Sequence, residues 1–304
     1  MSRRLIITLA AATILLLSCS RSEKKQSYFT FPDYDTVSMP DVEKLSSEAL
    51  DDISRNISSP VEIAEIIRRM NVPFSSKYLA TSVGAERASS SFDKAIKLGI
   101  LGADLGYLNM YEKTGNSVDL LVSIKKLAEG INVGQFFDFE TIKRLAVNRA
   151  SIDSLFMLSN DSYNQIDKFL RERNSGNLSA LMLTGLWIEG QYLATRVVSS
   201  NPDTLLRSRI GEQKIILNDL TMLLAPYCKI SSQYSELCTM IQQLRESYRD
   251  VKVTYTTGEP QMKEVNGMPV VVQKDESRVE MTDKQLGEIS SISEKIRNKL
   301  ISEN

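Results

Sequence analysis

FDKAIKLGILGADLGYLNMYEK, the stretch from Phe92 to Lys113, sets Ala95, Leu98, Leu101, Leu105 and Leu108 at steps of three and four residues. That is the spacing of one helical face and not the alternation of a strand. Asn116 is expected to cap a second helix, running through Leu120, Leu121, Ile124 and Leu127 to Gly130, so the pair reads as a helical hairpin. The same periodicity predicts further helices near Phe139 to Val147, Ile152 to Arg173, Leu178 to Ser199, Thr204 to Ile210, Glu212 to Leu224 and Ser232 to Asp250. Upstream, Ser59-Pro60-Val61-Glu62 is a capping box with Pro at the first helical position, followed by an apolar stripe from Val61 to Met70.

Two features of the opening stretch stand out. Ala95, Leu98, Leu101, Tyr107 and Leu108 align at an offset of 85 with Ala180, Leu183, Leu186, Tyr192 and Leu193, which suggests repeated hairpins in a weakly tetratricopeptide-like stack; five matches are also what two unrelated amphipathic helices can give. Gly99, Gly102 and Gly106 each cost about 1 kcal/mol relative to Ala inside a helix. Close approach of a neighbouring helix would offset that cost, and a ligand or partner groove is the alternative.

From Val251 the period changes. Val251, Val253 and Tyr255 alternate with polar residues, Asn266-Gly267 marks a hairpin turn, and Val270-Val271-Val272 precedes Arg278-Val279-Glu280-Met281. Pro269 belongs at a strand start or edge, because it cannot donate to a ladder. Thr282-Asp283-Lys284-Gln285 then opens a final helix with Ile289, Ile292, Ile296 and Leu300 on one side. The fold class expected is therefore mainly α: stacked antiparallel helical hairpins, a small antiparallel β-meander near the C-terminus and a final helix. The meander covers the helical core or offers an edge to a partner strand.

The N-terminus carries an address. Arg3 and Arg4 precede thirteen uncharged residues, Leu5 to Leu17, and then Ser18 and Cys19. A helix of that length spans roughly 20 Å against the roughly 30 Å of a bilayer core, which fits a signal peptide better than a membrane span. Leu16-Leu17-Ser18-Cys19 resembles the lipobox of bacterial lipoproteins, which implies cleavage before Cys19 and its acylation, with palmitate among the chains. Anchoring through several chains is effectively permanent. The mature start, Cys19-Ser20-Arg21, lacks an Asp at its second position, and the resemblance then implies the outer membrane, on its periplasmic face, with the cell surface as the alternative. The organisation expected is signal peptide 1–18, lipidated Cys and tether 19–40, helical domain 41–250, and meander plus C-terminal helix 251–304 packed on the helical domain.

Composition excludes more chemistry than it suggests. The 304 residues hold 37 Lys or Arg and 38 Asp or Glu, a net charge of -1 that provides no field for nucleic acid. Hydrophobic residues make up 42%, enough for one large or two small cores. There are 0 histidines, so Ser-His-Asp and Cys-His catalysis and histidine metal sites are all absent. Cys228 and Cys238, in a region exported to an oxidising compartment if the lipobox is used, are either a disulfide across a turn or two separately buried thiols. The acidic pairs Asp33 with Asp35, Asp51 with Asp52 and Asp138 with Glu140 have no calcium-loop spacing and read as solvated faces. Phe136, Phe137 and Phe139 form the densest aromatic cluster, with Asp138 as a helix cap between them; they serve core packing between hairpins or a contact patch.

The stretch from Gly99 to Leu145, with Leu101-Gly102-Ala103-Asp104-Leu105-Gly106-Tyr107, Leu127-Ala128-Glu129-Gly130 and Phe136-Phe137-Asp138, resembles a family of uncharacterised Bacteroidetes lipoproteins. The resemblance covers about half of the mature chain. It implies a helical body and a lipidated Cys19, and it transfers no catalytic residue, metal or cofactor. The expectation is a non-enzymatic helical lipoprotein acting as scaffold or adaptor for other cell-envelope components, with an envelope protein as partner, no nucleic acid and no cofactor. The alternative is a periplasmic ligand-binding lipoprotein, its pocket near Gly99, Gly102, Gly106, Phe136, Phe137 and Phe139. A carboxylate-dependent glycan hydrolase is a third reading.

Overall fold

The computed structural model describes residues 28–30, 66–80, 87–141, 144, 162, 164–256, 261–265, 268–272 and 276–302. The expected signal peptide, Cys19, the capping box expected at 59–62, Asp33, Asp35, Asp51, Asp52 and the turn expected at Asn266-Gly267 lie outside the described residues. Six long helices carry the fold: α1 (Ser91–Met110), α2 (Thr114–Gly130), α3 (Gly176–Ser200), α4 (Thr204–Leu224), α5 (Ser232–Ser247) and α6 (Asp283–Ser302). Residues 66–69 and 164–172 are also helical. The strands are β1 (Tyr28–Thr30), β2 (Lys252–Thr256), β3 (Gln261–Val265), β4 (Met268–Val272) and β5 (Glu276–Glu280). No helix among the described residues is long and apolar enough to cross a membrane.

The chain divides into two compact units, Met1–Thr30 with Thr254–Ser277, and Phe31–Val253 with Arg278–Asn304. In the first, β1 pairs antiparallel with β2, Tyr28 opposite Thr256 and Thr30 opposite Thr254. These three residues fall within the stretch 19–40 read from sequence as an extended tether; Tyr28-Phe29-Thr30 is an aromatic and β-branched run that suits a ladder. β3 and β4 pair antiparallel, with Gln261 opposite Val272 and Val265 opposite Met268. Pro269 sits second in β4, in a two-stranded sheet where each strand is an edge. α6 belongs to the helical unit, so the division falls inside the β segment rather than at residue 251.

In the helical unit α1 and α3 are the central pair. Both are apolar on most of their circumference, and Ala95, Leu98, Ile100, Ala180, Leu181, Met182 and Ala194 are almost wholly excluded from solvent. A helix apolar all round must lie inside. The Ser90 hydroxyl accepts from the Asp93 amide at 3.0 Å while Asp93 accepts from the Ser90 amide, a capping box that starts α1. α1 ends at Met110, three residues before the expected Lys113, where the turn to α2 begins and Glu112 takes a left-handed φ of 53°. α2 begins at Thr114, two residues before the expected cap Asn116, and has no side-chain cap.

α4 is one helix where the sequence suggested two. Gly211, the supposed break, is an interior position whose missing side chain makes room for Val279: a Cβ there would lie 2.3 Å from Val279 Cγ1. Trp187 donates to Gln213 at 2.9 Å, Gln191 donates to the Tyr248 hydroxyl at 2.6 Å, and that hydroxyl donates to the Ile210 carbonyl at 3.1 Å, tying α3 to α4 and to the end of α5. Cys228 and Cys238 form a disulfide that brackets the turn between α4 and α5. α6 starts with the expected capping box, in which the Gln285 amide donates to the Thr282 hydroxyl at 3.3 Å and the Thr282 amide to Gln285 Oε1 at 2.6 Å. Of its stripe, Ile289, Ile296 and Leu300 are buried and Ile292 is half-buried.

Candidate functional site

An open groove of about 630 Å³ lies between the C-terminal half of α2 and the segment 164–173. Two helices end beside it, each by a left-handed asparagine: Asn132 has φ 60° and Asn174 φ 54°. Asparagine tolerates that conformation better than most residues. After Asn132 the chain turns through Gly134–Phe136 and restarts at Asp138, whose carboxylate accepts from the Thr141 amide at 2.9 Å as the sequence suggested. The hydrogen bonds from Thr141 hold the Asp138 carboxyl below its usual range.

The floor of the groove is aromatic and its walls are cationic. Phe139 and Phe169 line it, and Phe136 packs on Phe169 with centroids 4.8 Å apart. Lys125 stands 5.8 Å over the Phe139 ring and Arg173 4.5 Å over Phe169. Glu129 is 4.0 Å from Lys125, an exposed i,i+4 pair that is worth little. Asn132 and Gln135 are exposed on the rim. Of the aromatic cluster, Phe139 thus contributes to the floor of the groove, while Phe136 and Phe137 remain half-buried supports.

The glycines do not share this site. Gly99 is buried against the α3 backbone, and Gly102 and Gly106 are half-buried farther along α1. Gly99 therefore serves close helix approach and cannot line a groove.

A second cluster, which sequence reasoning missed, lies where α1, α3 and α6 meet. Asp104 and Glu189 are 0% exposed and Arg297 is 5% exposed. Arg297 grips Glu189 through both oxygens, Nε to Oε2 at 2.9 Å and Nη2 to Oε1 at 3.1 Å. It also donates to the Tyr78 carbonyl at 3.1 Å and lies 4.6 Å over the Tyr192 ring. Asp104 Oδ2 accepts from the Ala80 amide at 2.7 Å. Burial first, and then the neighbouring Glu189, push the Asp104 carboxyl well above its usual range. Burial also raises Glu189, against the opposing pull of Arg297. The signal was present in the sequence: Asp104 and Glu189 stand at the same 85-residue offset as the apolar repeat, each inside an otherwise apolar stretch.

The cations and rim of the groove are accessible, whereas the carboxylates of the cluster have no exposed surface. Among the described residues no group of acids and cysteines could hold a metal ion. Comparison with protein families, curated proteins and solved structures finds no match to this chain.

Proposed function

We propose that this chain is a non-enzymatic, lipid-anchored helical protein of the cell envelope that acts as an adaptor, docking a segment of an envelope protein in the groove between α2 and 164–173. The observation that carries the docking reading is the pairing of two accessible cations, Lys125 and Arg173, with an aromatic floor. The occupant this fits is a partner segment with one carboxylate next to an aromatic side chain. The carbonyl ends of two helices and Glu129 offset part of the positive charge, which favours a single acidic group over a polyanion. The anchor rests on the Leu16-Leu17-Ser18-Cys19 sequence.

Fluorescence anisotropy of the full chain with a short Glu-Phe-containing peptide tests the docking arm. Binding should weaken with salt and fall at least about tenfold in Arg173→Glu, by loss of one charge-assisted contact and gain of a repulsion. Equal binding of a Lys-Phe peptide, or no effect of Arg173→Glu, sinks it. Uptake of labelled fatty acid tests the anchor: it should vanish in Cys19→Ala, and persistent labelling removes the lipoprotein reading.

One observation favours a small ligand instead: 630 Å³ falls in the range of about 300–1,000 Å³ typical of ligand sites. The groove is open, however, and its charged side chains Lys125 and Glu129 are 56% and 60% exposed, which suits a docked chain better than an enclosed molecule.

A further inference from the structure

The cluster at the junction of α1, α3 and α6 holds two carboxyl groups and one guanidinium in a volume closed to water. Arg297 is always charged, and its bidentate grip on Glu189 uses both oxygens of that group. Glu189 is therefore the anion of the pair. Asp104 is differently placed. Its Oδ2 is satisfied by the Ala80 amide, but no donor among the described residues reaches its Oδ1, which is wholly buried. A buried carboxylate oxygen with no donor is costly, whereas a buried carboxyl O–H beside an acceptor is satisfied. Glu189 is the neighbouring carboxylate that bears on Asp104, and the acceptor such a proton would meet.

We infer that Asp104 keeps a proton on Oδ1 at neutral pH and donates it to Glu189, so that the cluster is a proton-dependent latch holding the C-terminal helix α6 onto α1 and α3. With the proton in place one anion meets one cation and the site is neutral. Without it, two buried carboxylates repel each other around a single guanidinium with no water to screen them, and the cluster that joins α6 to α1 and α3 is destabilised as a whole. The other groups facing the cluster do not relieve this. Tyr192 of α3 offers its ring to Arg297, the 76–80 segment contributes the Tyr78 carbonyl and Ala80 amide, and Arg196 pairs with Glu294 at the surface.

The sign of the pH effect follows. A carboxyl that holds its proton more tightly folded than unfolded stabilises the fold fully below the ordinary carboxylate pKa, and that contribution is lost as pH rises toward the folded value. The latch is tight in acid and slackens in base. This inference is independent of the groove and of the lipid anchor.

Asp104→Asn is the decisive variant, because its side chain presents the same two functions permanently: a carbonyl oxygen for the Ala80 amide and an N–H donor for Glu189. Infrared spectroscopy of the full chain at pH 7 should show the carbonyl band of a protonated carboxyl, absent from Asp104→Asn. The melting temperature of Asp104→Asn relative to wild type should rise by roughly 5–15 °C between about pH 5 and about pH 8, as wild type loses the proton-linked contribution. The inference is overturned if wild type shows no such band at pH 7, or if the band survives in Asp104→Asn. Melting profiles that run parallel across this pH range overturn it too. A variant that cannot fold likewise counts against it, since a neutral donor at this position is what the latch requires.

Discussion

Gly99 of α1 and Gly185 of α3 meet the opposite helix reciprocally: a Cβ on Gly99 would lie 1.9 Å from the Met182 carbonyl oxygen, and one on Gly185 would lie 2.1 Å from the Ile96 carbonyl oxygen. Each glycine faces the carbonyl three residues before the other, so the crossing is locally two-fold. The obstructing atoms are backbone, which cannot swing aside as a flexible side chain can. Gly99→Ala and Gly185→Ala should each lower stability by about 3 kcal/mol through overpacking, a fall of roughly 6–12 °C in melting temperature. Gly190, also in α3, has nothing within 4 Å of an added Cβ. Gly190→Ala should therefore raise stability by about 0.5–1 kcal/mol through helix propensity alone. Calorimetry of the three variants checks the opposite signs, and a stable Gly99→Ala would show that the helices are not in contact there.

Arg297 should be indispensable to the helical unit. Its side chain is 6% exposed and that of Glu189 0%, so removing the guanidinium strands a buried anion, typically at about 3–5 kcal/mol. Arg297→Met should lower the urea midpoint at neutral pH by that loss divided by the m-value, with the m-value unchanged. The loss should shrink in acid, because Glu189, already raised by burial, then takes up a proton. A loss under about 1 kcal/mol would mean that the pair is solvated.

The Cys228–Cys238 bridge spans a sequence separation of 10. In the chain-entropy model a loop of that size contributes about 3 kcal/mol. Reduction should lower the melting temperature by several degrees without abolishing folding, since the turn is also held by the Ser231 cap on α5. Thiol counting on denatured, unreduced Cys19→Ala chain should find none, and two reactive thiols would show that the bridge does not form.

The elements legible in the sequence were those decided within one or two turns of chain. Thr282 and Gln285 cap α6 and Asp138 caps its helix because a capping hydrogen bond joins residues three apart, a distance that pattern alone reveals. The stripe of α6 and the alternation in β2 were equally local. At the misread glycines a distant residue had intervened. Gly211 looked like a helix break, yet it sits mid-helix because Val279 needs the space. Gly99, Gly102 and Gly106 looked alike, and only the position of α3 made the first of them the contact.

The cluster shows the same division most plainly. Sequence by itself determined that α1 and α3 are helices with matching apolar positions, and it set Asp104 and Glu189 at the same 85-residue offset. It could not determine that Arg297, 108 residues after Glu189, arrives on α6 to pair with Glu189. Periodicity measures which face of a helix avoids water, because that preference is carried by each residue separately. Whether a buried charge is tolerated depends on which partner the packed helices bring within hydrogen-bonding distance, and only the tertiary structure supplies that.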